Sequence, residues 1–302
     1  MLAVKTYNSD LHIFRRTLRL MGNRFEISVV GTDSVWADNC IDGAVNEINR
    51  VEKLLSAFSE DGQITEINRN AGIKPVKVNA EIYRLIDRAL NISELTQGAF
   101  DITFTANEKN TDNKSKSADY KSVVLDTEKN TVFLSDKNMR IGFGAISKGY
   151  AADRAKYILQ LMGVASGVVN AGGDLLAWGL QPNNEAWTIA SADPDQHNQP
   201  YSSIKISNMA VATSGNFESD AAISNGKHPV NVDTKKGFTV SMLKKVSVVS
   251  PTAELSDAMA TPIMTMGVNA GLYLINKLQQ LACVIIDDHD RIYTSKEINF
   301  LT

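Results

Sequence analysis

The sequence predicts an α+β fold, with mixed sheets and packed helices in one compact unit over residues 1–302. Three observations predict it. Apolar residues alternate in short runs near the N-terminus and again in the C-terminal third, the two-residue period of strands. Other stretches carry the three-and-four spacing of amphipathic helices. The two kinds of segment follow in mixed order, without regular βα alternation, an internal repeat or a dividing linker. A chain of 302 residues, 43% apolar and 22% charged, is long and apolar enough to bury such a core.

The elements read in order. Ile13–Leu20 and Arg24–Gly31 alternate around Met21-Gly22-Asn23 and predict two strands joined by a tight turn. From Ser34, Ile41, Val45, Ile48, Val51, Leu54 and Leu55 recur at helical spacing, ending near Phe58. A second helix is expected over Glu81–Gln97, with Ile82, Leu85, Ile86, Leu90 and Leu95 inward and Gly98 as its stop. Ala106 to Lys121 is polar and aperiodic, and reads as a mobile surface loop or insertion. Short strands follow at Ser122–Asp126 and Thr131–Leu134. A helix then runs through Ala155, Ile158, Leu159 and Met162 to a stop at Gly163. Strands are expected at Gly167–Asn170, Leu175–Trp178, Trp187–Ser191, Ser203–Ile206, Lys245–Val249 and Cys283–Asp287, with helices over Pro251–Met266 and Ala270–Gln279.

Composition narrows the function. A formal net charge of −3 argues against a dedicated nucleic-acid binder. No apolar run approaches the roughly 20 residues of a membrane span. Cys40 and Cys283 allow one disulfide at most, so this is no disulfide scaffold. Met1–Arg16 has charged residues and no apolar stretch of the signal-peptide kind. As given, the chain is expected to be cytoplasmic; an exported, membrane-anchored protein requires a leader already removed.

Three segments carry chemistry. In Ser250-Pro-Thr-Ala-Glu-Leu-Ser-Asp-Ala-Met-Ala-Thr-Pro262, Ser250 suits an N-cap and Pro251 the first helical position. Asp257 and Thr261 stand four apart on one helix face, a carboxylate and a hydroxyl suited to Mg²⁺ beside phosphates. The alternative is a surface Asp and a Thr bonded to its own helix. Pro262 is expected to loosen the backbone at Thr261. Gly142-Phe-Gly-Ala-Ile-Ser-Lys-Gly149 is a glycine loop entering a helix, where amides approach an anion or simply make a turn; it matches neither the P-loop nor the dinucleotide fingerprint. Asn170-Ala-Gly-Gly-Asp174 is a second tight turn, with Asp174 either capping amides or meeting a ligand. The four histidines lack metal-type spacing, so a zinc site is not expected, and His228 on its context is either a surface residue or a base.

Together these segments resemble the ApbE family, the FAD:protein FMN transferases, from Met21 to Gly267. The motifs are Met21-Gly; Leu55-Ser-Ala-Phe-Ser-Glu-Asp-Gly-Gln-Ile-Thr-Glu-Ile-Asn68; Gly98-Ala-Phe-Asp-Ile-Thr103; Gly144-Ala-Ile-Ser-Lys-Gly-Tyr-Ala-Ala-Asp153; Val169-Asn-Ala-Gly-Gly-Asp174; Ala212-Thr-Ser-Gly215; and Ser256-Asp-Ala-Met-Ala-Thr261. The resemblance implies Mg²⁺ held by the Ala145 carbonyl and the side chains of Asp257 and Thr261. It implies FAD contacts at Met21, Phe58, Ala99, Phe100, Asp101, Lys148 and about Val230, with His228 as catalytic base or acceptor-positioning group. The implied reaction moves FMN from FAD to a Ser or Thr hydroxyl of a target protein and releases AMP. The alternatives are a Mg²⁺-dependent FAD pyrophosphatase and a non-catalytic flavin-binding homologue. Four departures stand out: Gly142 replaces a flavin-contacting Asp, the loop from Ala106 replaces a Pro-Leu-Val and Trp stretch, the residues after His228 differ, and Ser214-Gly-Asn-Phe-Glu-Ser lacks the usual Arg.

Overall fold

A computed structural model describes residues 10–57, 59, 61–105, 119–192, 200–215 and 243–296. In chain order its strands are β1 (His12–Leu20), β2 (Asn23–Gly31), β3 (Val76–Lys77), β4 (Thr103–Thr105), β5 (Val123–Asp126), β6 (Thr131–Leu134), β7 (Met139–Ile141), β8 (Gly167–Ala171), β9 (Asp174–Trp178), β10 (Trp187–Ala192), β11 (Pro200–Ile206), β12 (Met209–Gly215), β13 (Leu243–Ser250), β14 (Ala282–Asp287) and β15 (Ile292–Thr294). The helices are α1 (Ser34–Leu55), α2 (Gln63–Arg69), α3 (Ala80–Leu95), α4 (Ser147–Leu161) and α5 (Ala253–Ile275). The α+β class is as expected.

Contacts group the chain into two compact units: Met1–Ile48 with Lys148–Thr302, and Asn49–Ser147. The sequence reads as one unit because neither boundary has a linker. One falls inside α1 and the other at the start of α4, where helical periodicity runs straight through.

The first unit is built on an eight-stranded antiparallel sheet, ordered β1-β2-β8-β9-β12-β13-β14-β15. The β1–β2 turn is two residues, with Met21 at φ 51 and Gly22 at φ 73. Both central residues at positive φ match the right-handed strand twist, which is why so short a loop closes the hairpin. Strand β2 is buried along most of its length, whereas β1 alternates as an edge strand does. One apolar cluster joins Val30, Ala177, Val211, Val249 and Ala282 of the sheet to Trp187 and Ile206 of the β10–β11 hairpin. Helix α5 packs on β12 and β13. Gly43 of α1 lets α4 approach closely: a Cβ there would stand 2.6 Å from the Met162 sulfur. Cys40 and Cys283 are buried free thiols.

The second unit holds α2, α3 and the small sheets β3-β6-β5 and β4-β7. Asn79 caps α3, accepting the Ile82 amide at 2.8 Å. Helix α3 ends at Leu95, two residues before the expected Gln97, because Gln97 turns to φ 54 and the Gly98 amide reaches back to the Ser93 carbonyl at 2.7 Å. Leu95 is exposed rather than inward, because it stands on the outer face of the last turn while Ile92, Ser93 and Thr96 face the core. Asn68 of α2 imitates a strand, donating to the Ile141 carbonyl at 3.0 Å and accepting the Ile141 amide at 2.8 Å. That pair fixes β7, which leads into the glycine loop.

Two other expectations change. Helix α5 is capped by Thr252, not Ser250, because Ser250 closes β13 and its hydroxyl donates to the Thr252 carbonyl. Pro262 does not open the helix: the break lies at Gly267, φ 80 and ψ 176, where the sequence divides its two expected helices, and the second ends at Ile275 rather than Gln279. Only glycine adopts that conformation without strain, whereas proline deletes one donor and leaves its neighbours helical. Most of the polar stretch from Ala106, residues 106–118, lies outside the described residues. The part that is described closes with Asp119 capping a 3₁₀ turn over Tyr120–Ser122.

Candidate functional site

In the first unit, the starts of α4 and α5 meet. Gly149 makes this approach available, since a Cβ on it would lie 2.3 Å from the Ala253 carbonyl oxygen. Its amide donates to Asp257 Oδ2 at 3.0 Å. In the other direction, both carboxylate oxygens of Asp153 accept amides of α5, from Ala253 at 2.9 Å and Glu254 at 2.8 Å. Burial pushes the Asp153 carboxyl up to about 6, against the pull of those two amides.

Beside this junction, Lys148 stands between two carboxylates. Its Nζ lies 3.6 Å from Asp257 Oδ1 and 3.8 Å from Asp174 Oδ2. The two aspartate side chains are only 10% and 11% exposed. Asp174 opens β9, and the β9–β12 register sets it against β12, so its Oδ1 accepts the Thr213 amide at 3.1 Å. The Thr213 hydroxyl in turn pairs with Ser247 at 2.9 Å. Burial pushes Asp174 up to about 6, and the Asp257 charge adds to it while Lys148 opposes. Burial likewise raises Asp257 against the pull of Lys148 and the Gly149 amide. One ammonium therefore faces two carboxylates whose charged forms burial disfavours.

Thr261, one turn beyond Asp257, completes the polar wall. Its hydroxyl is 3.3 Å from that of Ser214, which also lies 3.4 Å from the Met264 sulfur. Two buried carboxylates and two hydroxyls are hard oxygen donors, a set that fits Mg²⁺ and not a soft metal. The surface-aspartate alternative for Asp257 is ruled out by its burial.

Of the residues singled out in the sequence, Lys148, Asp257 and Thr261 come together here. Met21 lies at the same end of the sheet as Asp174. The Gly172 amide donates to the Arg24 carbonyl at 2.9 Å, setting the Met21-Gly22 turn beside the Gly172-Gly173 turn. Ala99, Phe100, Asp101 and Ala145 belong to the second unit. There Asp101 organises its own loop, accepting the Thr103 amide and hydroxyl at 2.8 and 2.7 Å and the Tyr120 amide at 3.2 Å. Phe100 is buried, Ala99 half-buried and Ala145 exposed. A Cβ on Gly142 would meet the Phe104 ring at 3.2 Å, so an aspartate there needs Phe104 to shift. Phe58, His228 and Val230 lie outside the described residues.

Sequence reading left Asp174 open and missed Asp153 and Ser214. The signal for Asp153 was its place four residues after Gly149, on the same face of α4. Nothing local marks Ser214, which strand pairing alone brings to Thr261.

Helix α5 is long and apolar enough to cross a membrane by length and composition. It packs on the sheet, and it carries Glu254 and Asp257. Those are the marks of a core helix.

Known proteins resemble this chain in sequence and in fold. The ApbE family profile matches residues 21–285. A FAD:protein FMN transferase of Klebsiella pneumoniae (strain 342) is 25% identical over 295 residues, covering 92% of this chain and 90% of the relative. One from Treponema pallidum (strain Nichols) is 25% identical over 281 residues, covering 83% and 78%. The crystal structure of the ApbE protein from Thermotoga maritima superposes with a TM-score of 0.78 at 25% identity, covering 94% of this chain and 97% of that one. The flavin transferase ApbE from Vibrio cholerae shares the fold, with a TM-score of 0.76 at 21% identity over 94% and 98%. The chain belongs to the ApbE family.

Proposed function

We propose that this protein is a flavin transferase that uses Mg²⁺ to move FMN from FAD to a Ser or Thr hydroxyl of a target protein, releasing AMP. The observation that carries this reading is the buried Asp174–Lys148–Asp257 arrangement with Thr261 on the same wall. The shared name of the relatives supports flavin transfer as the reaction class. Asp257 and Thr261 would hold the metal; the family resemblance adds the Ala145 carbonyl. A bound Mg²⁺ supplies charge neutralisation on the diphosphate.

The chain's own groups do the rest. Lys148 offers an ammonium to the diphosphate, held in place by Asp174. Asp174 is itself fixed through the Thr213 amide, so the cation is aimed before substrate arrives. The acceptor hydroxyl oxygen attacks the FMN-side phosphorus, the bond from that phosphorus to the bridging oxygen breaks, and AMP leaves with the bridging oxygen. By the family resemblance, His228 takes the hydroxyl proton.

A second reading, flavin binding without transfer, is favoured by Gly142, which offers no carboxylate where the family usually has Asp. Incubation with FAD, Mg²⁺ and a flavin-acceptor protein, followed by in-gel flavin fluorescence, separates the readings. Labelled acceptor is the expected result. Free FMN and AMP alone mean hydrolysis, and unchanged FAD means binding only.

A further inference from the structure

Asp153 takes no part in that chemistry, yet it is a half-buried residue whose two carboxylate oxygens are both committed to α5. The first amides of a helix have no partner within it. The cap residue Thr252 reaches Leu255 only at 3.4 Å. Asp153 instead satisfies the amides of Ala253 and Glu254 from across the junction. The exchange is returned, because Asp257 of α5 accepts the Gly149 amide in the first turn of α4. Gly149 and Asp153 are four residues apart on α4, and Ala253 and Asp257 four apart on α5, so α4 presents one amide and one carboxylate, and α5 two adjacent amides and one carboxylate, across the junction.

We propose that Asp153 is a positioning residue: together with Gly149 it forms a reciprocal clamp between the starts of α4 and α5 that fixes where Asp257 and Thr261 stand. The functional half of the proposal rests on the reading of those two residues as metal ligands. The clamp is specific in rotation and in rise. Sliding α5 by one residue moves its side chains about 1.5 Å along the axis and about 100° around it, and breaks all three bonds at once. Gly149 makes the fit close, because any side chain there meets the Ala253 carbonyl. A ligand displaced by about 1 Å costs on the order of 100-fold in a positioned reaction.

The test is amide hydrogen exchange on the full chain, wild type against Asp153→Ala, with Mg²⁺ affinity measured separately by calorimetry without FAD. The clamp predicts that exchange at Gly149 speeds by about fivefold or more, the size of a lost helix cap, beyond any change at Val248 in the central sheet. It also predicts Mg²⁺ binding weakened about tenfold. Asp153→Asn, which keeps one acceptor oxygen, should fall between, and it serves as the test if Asp153→Ala does not fold. Equal acceleration at Gly149 and Val248, or none at Gly149, overturns the clamp. If Gly149 responds as expected while wild type binds no Mg²⁺, the clamp stands and the metal reading falls.

Discussion

Two acidic clusters in this protein look alike in kind and differ in state. Asp287, Asp288 and His289 form, among the described residues, the one group of three ligand-type side chains close enough to surround an ion. Asp174 and Asp257 are far apart in sequence. Yet Asp287 is saturated. It accepts the amides of His289 and Arg291 at 2.9 Å each, the Arg291 guanidinium at 2.7 Å and the Tyr293 hydroxyl at 3.1 Å. Desolvation works against its charge, but those bonds win and draw the carboxyl down to about 2. Asp174 and Asp257 share a single lysine, and burial pushes both up. A compact acidic motif is thus a finished turn, and the dispersed pair is the site with charge left to satisfy.

The largest expected effect separates the two clusters directly. Asp257→Ala should lower flavin transfer by at least about 100-fold, the order expected for removing a direct charge contact. A rate within threefold of wild type would remove Asp257 from the chemistry. Next, Gly149→Ala should destabilise the fold by roughly 2 kcal/mol, a typical overpacking cost, since its methyl meets backbone that cannot swing away. Urea unfolding at constant m-value measures this, and an unchanged midpoint would mean the helices can part freely.

The pH dependence of metal-free stability should run in opposite directions for the two clusters. Asp153 and Asp174 sit near 6 in the fold, above the 3.8 of the free side chain. Their stabilisation is complete below 3.8 and is lost as pH rises through 6. Asp287 sits near 2, below 3.8, so its stabilisation holds above 3.8 and is lost as pH falls through 2. Asp174→Asn should therefore flatten the stability profile between pH 4 and about 7, checked by denaturant melts across that range. Asp287→Asn should flatten only the acid limb. The smallest effect is expected at the exposed member of the saturated turn: Asp288→Asn should change Mg²⁺ affinity less than about twofold, as ordinary surface substitutions do. A larger loss by titration calorimetry would make the Asp287 turn a metal site after all.

Much of the fold was legible because it is written in local patterns. The β1–β2 hairpin, α1, α3 and α4 follow from apolar spacing and from Gly22, Gly98 and Gly163 at positive φ. The short strands β3, β4, β7 and β15 were not legible, since two or three residues carry no period. Strand β12 was read as the motif Ala212-Thr-Ser-Gly215 and not as a strand, because its small residues blur the alternation. In the site, Asp257 and Thr261 could be paired from helical spacing, and Lys148 was reached through the family resemblance. Ser214 and Asp153 could not be found this way, because their partners lie 47 and 100 residues away.

By itself the sequence determined the α+β class, the glycine positions that end and join its elements, and a carboxylate–hydroxyl pair on one helix face. All of these depend on neighbours within a few residues, where backbone geometry is periodic. Tertiary structure decided which carboxylates stay underpaired. That state depends on burial and on partners across the chain: Lys148 between Asp174 and Asp257 on one side, Arg291 and Tyr293 around Asp287 on the other. Desolvation is set by the whole surrounding shell, so no local pattern announces it.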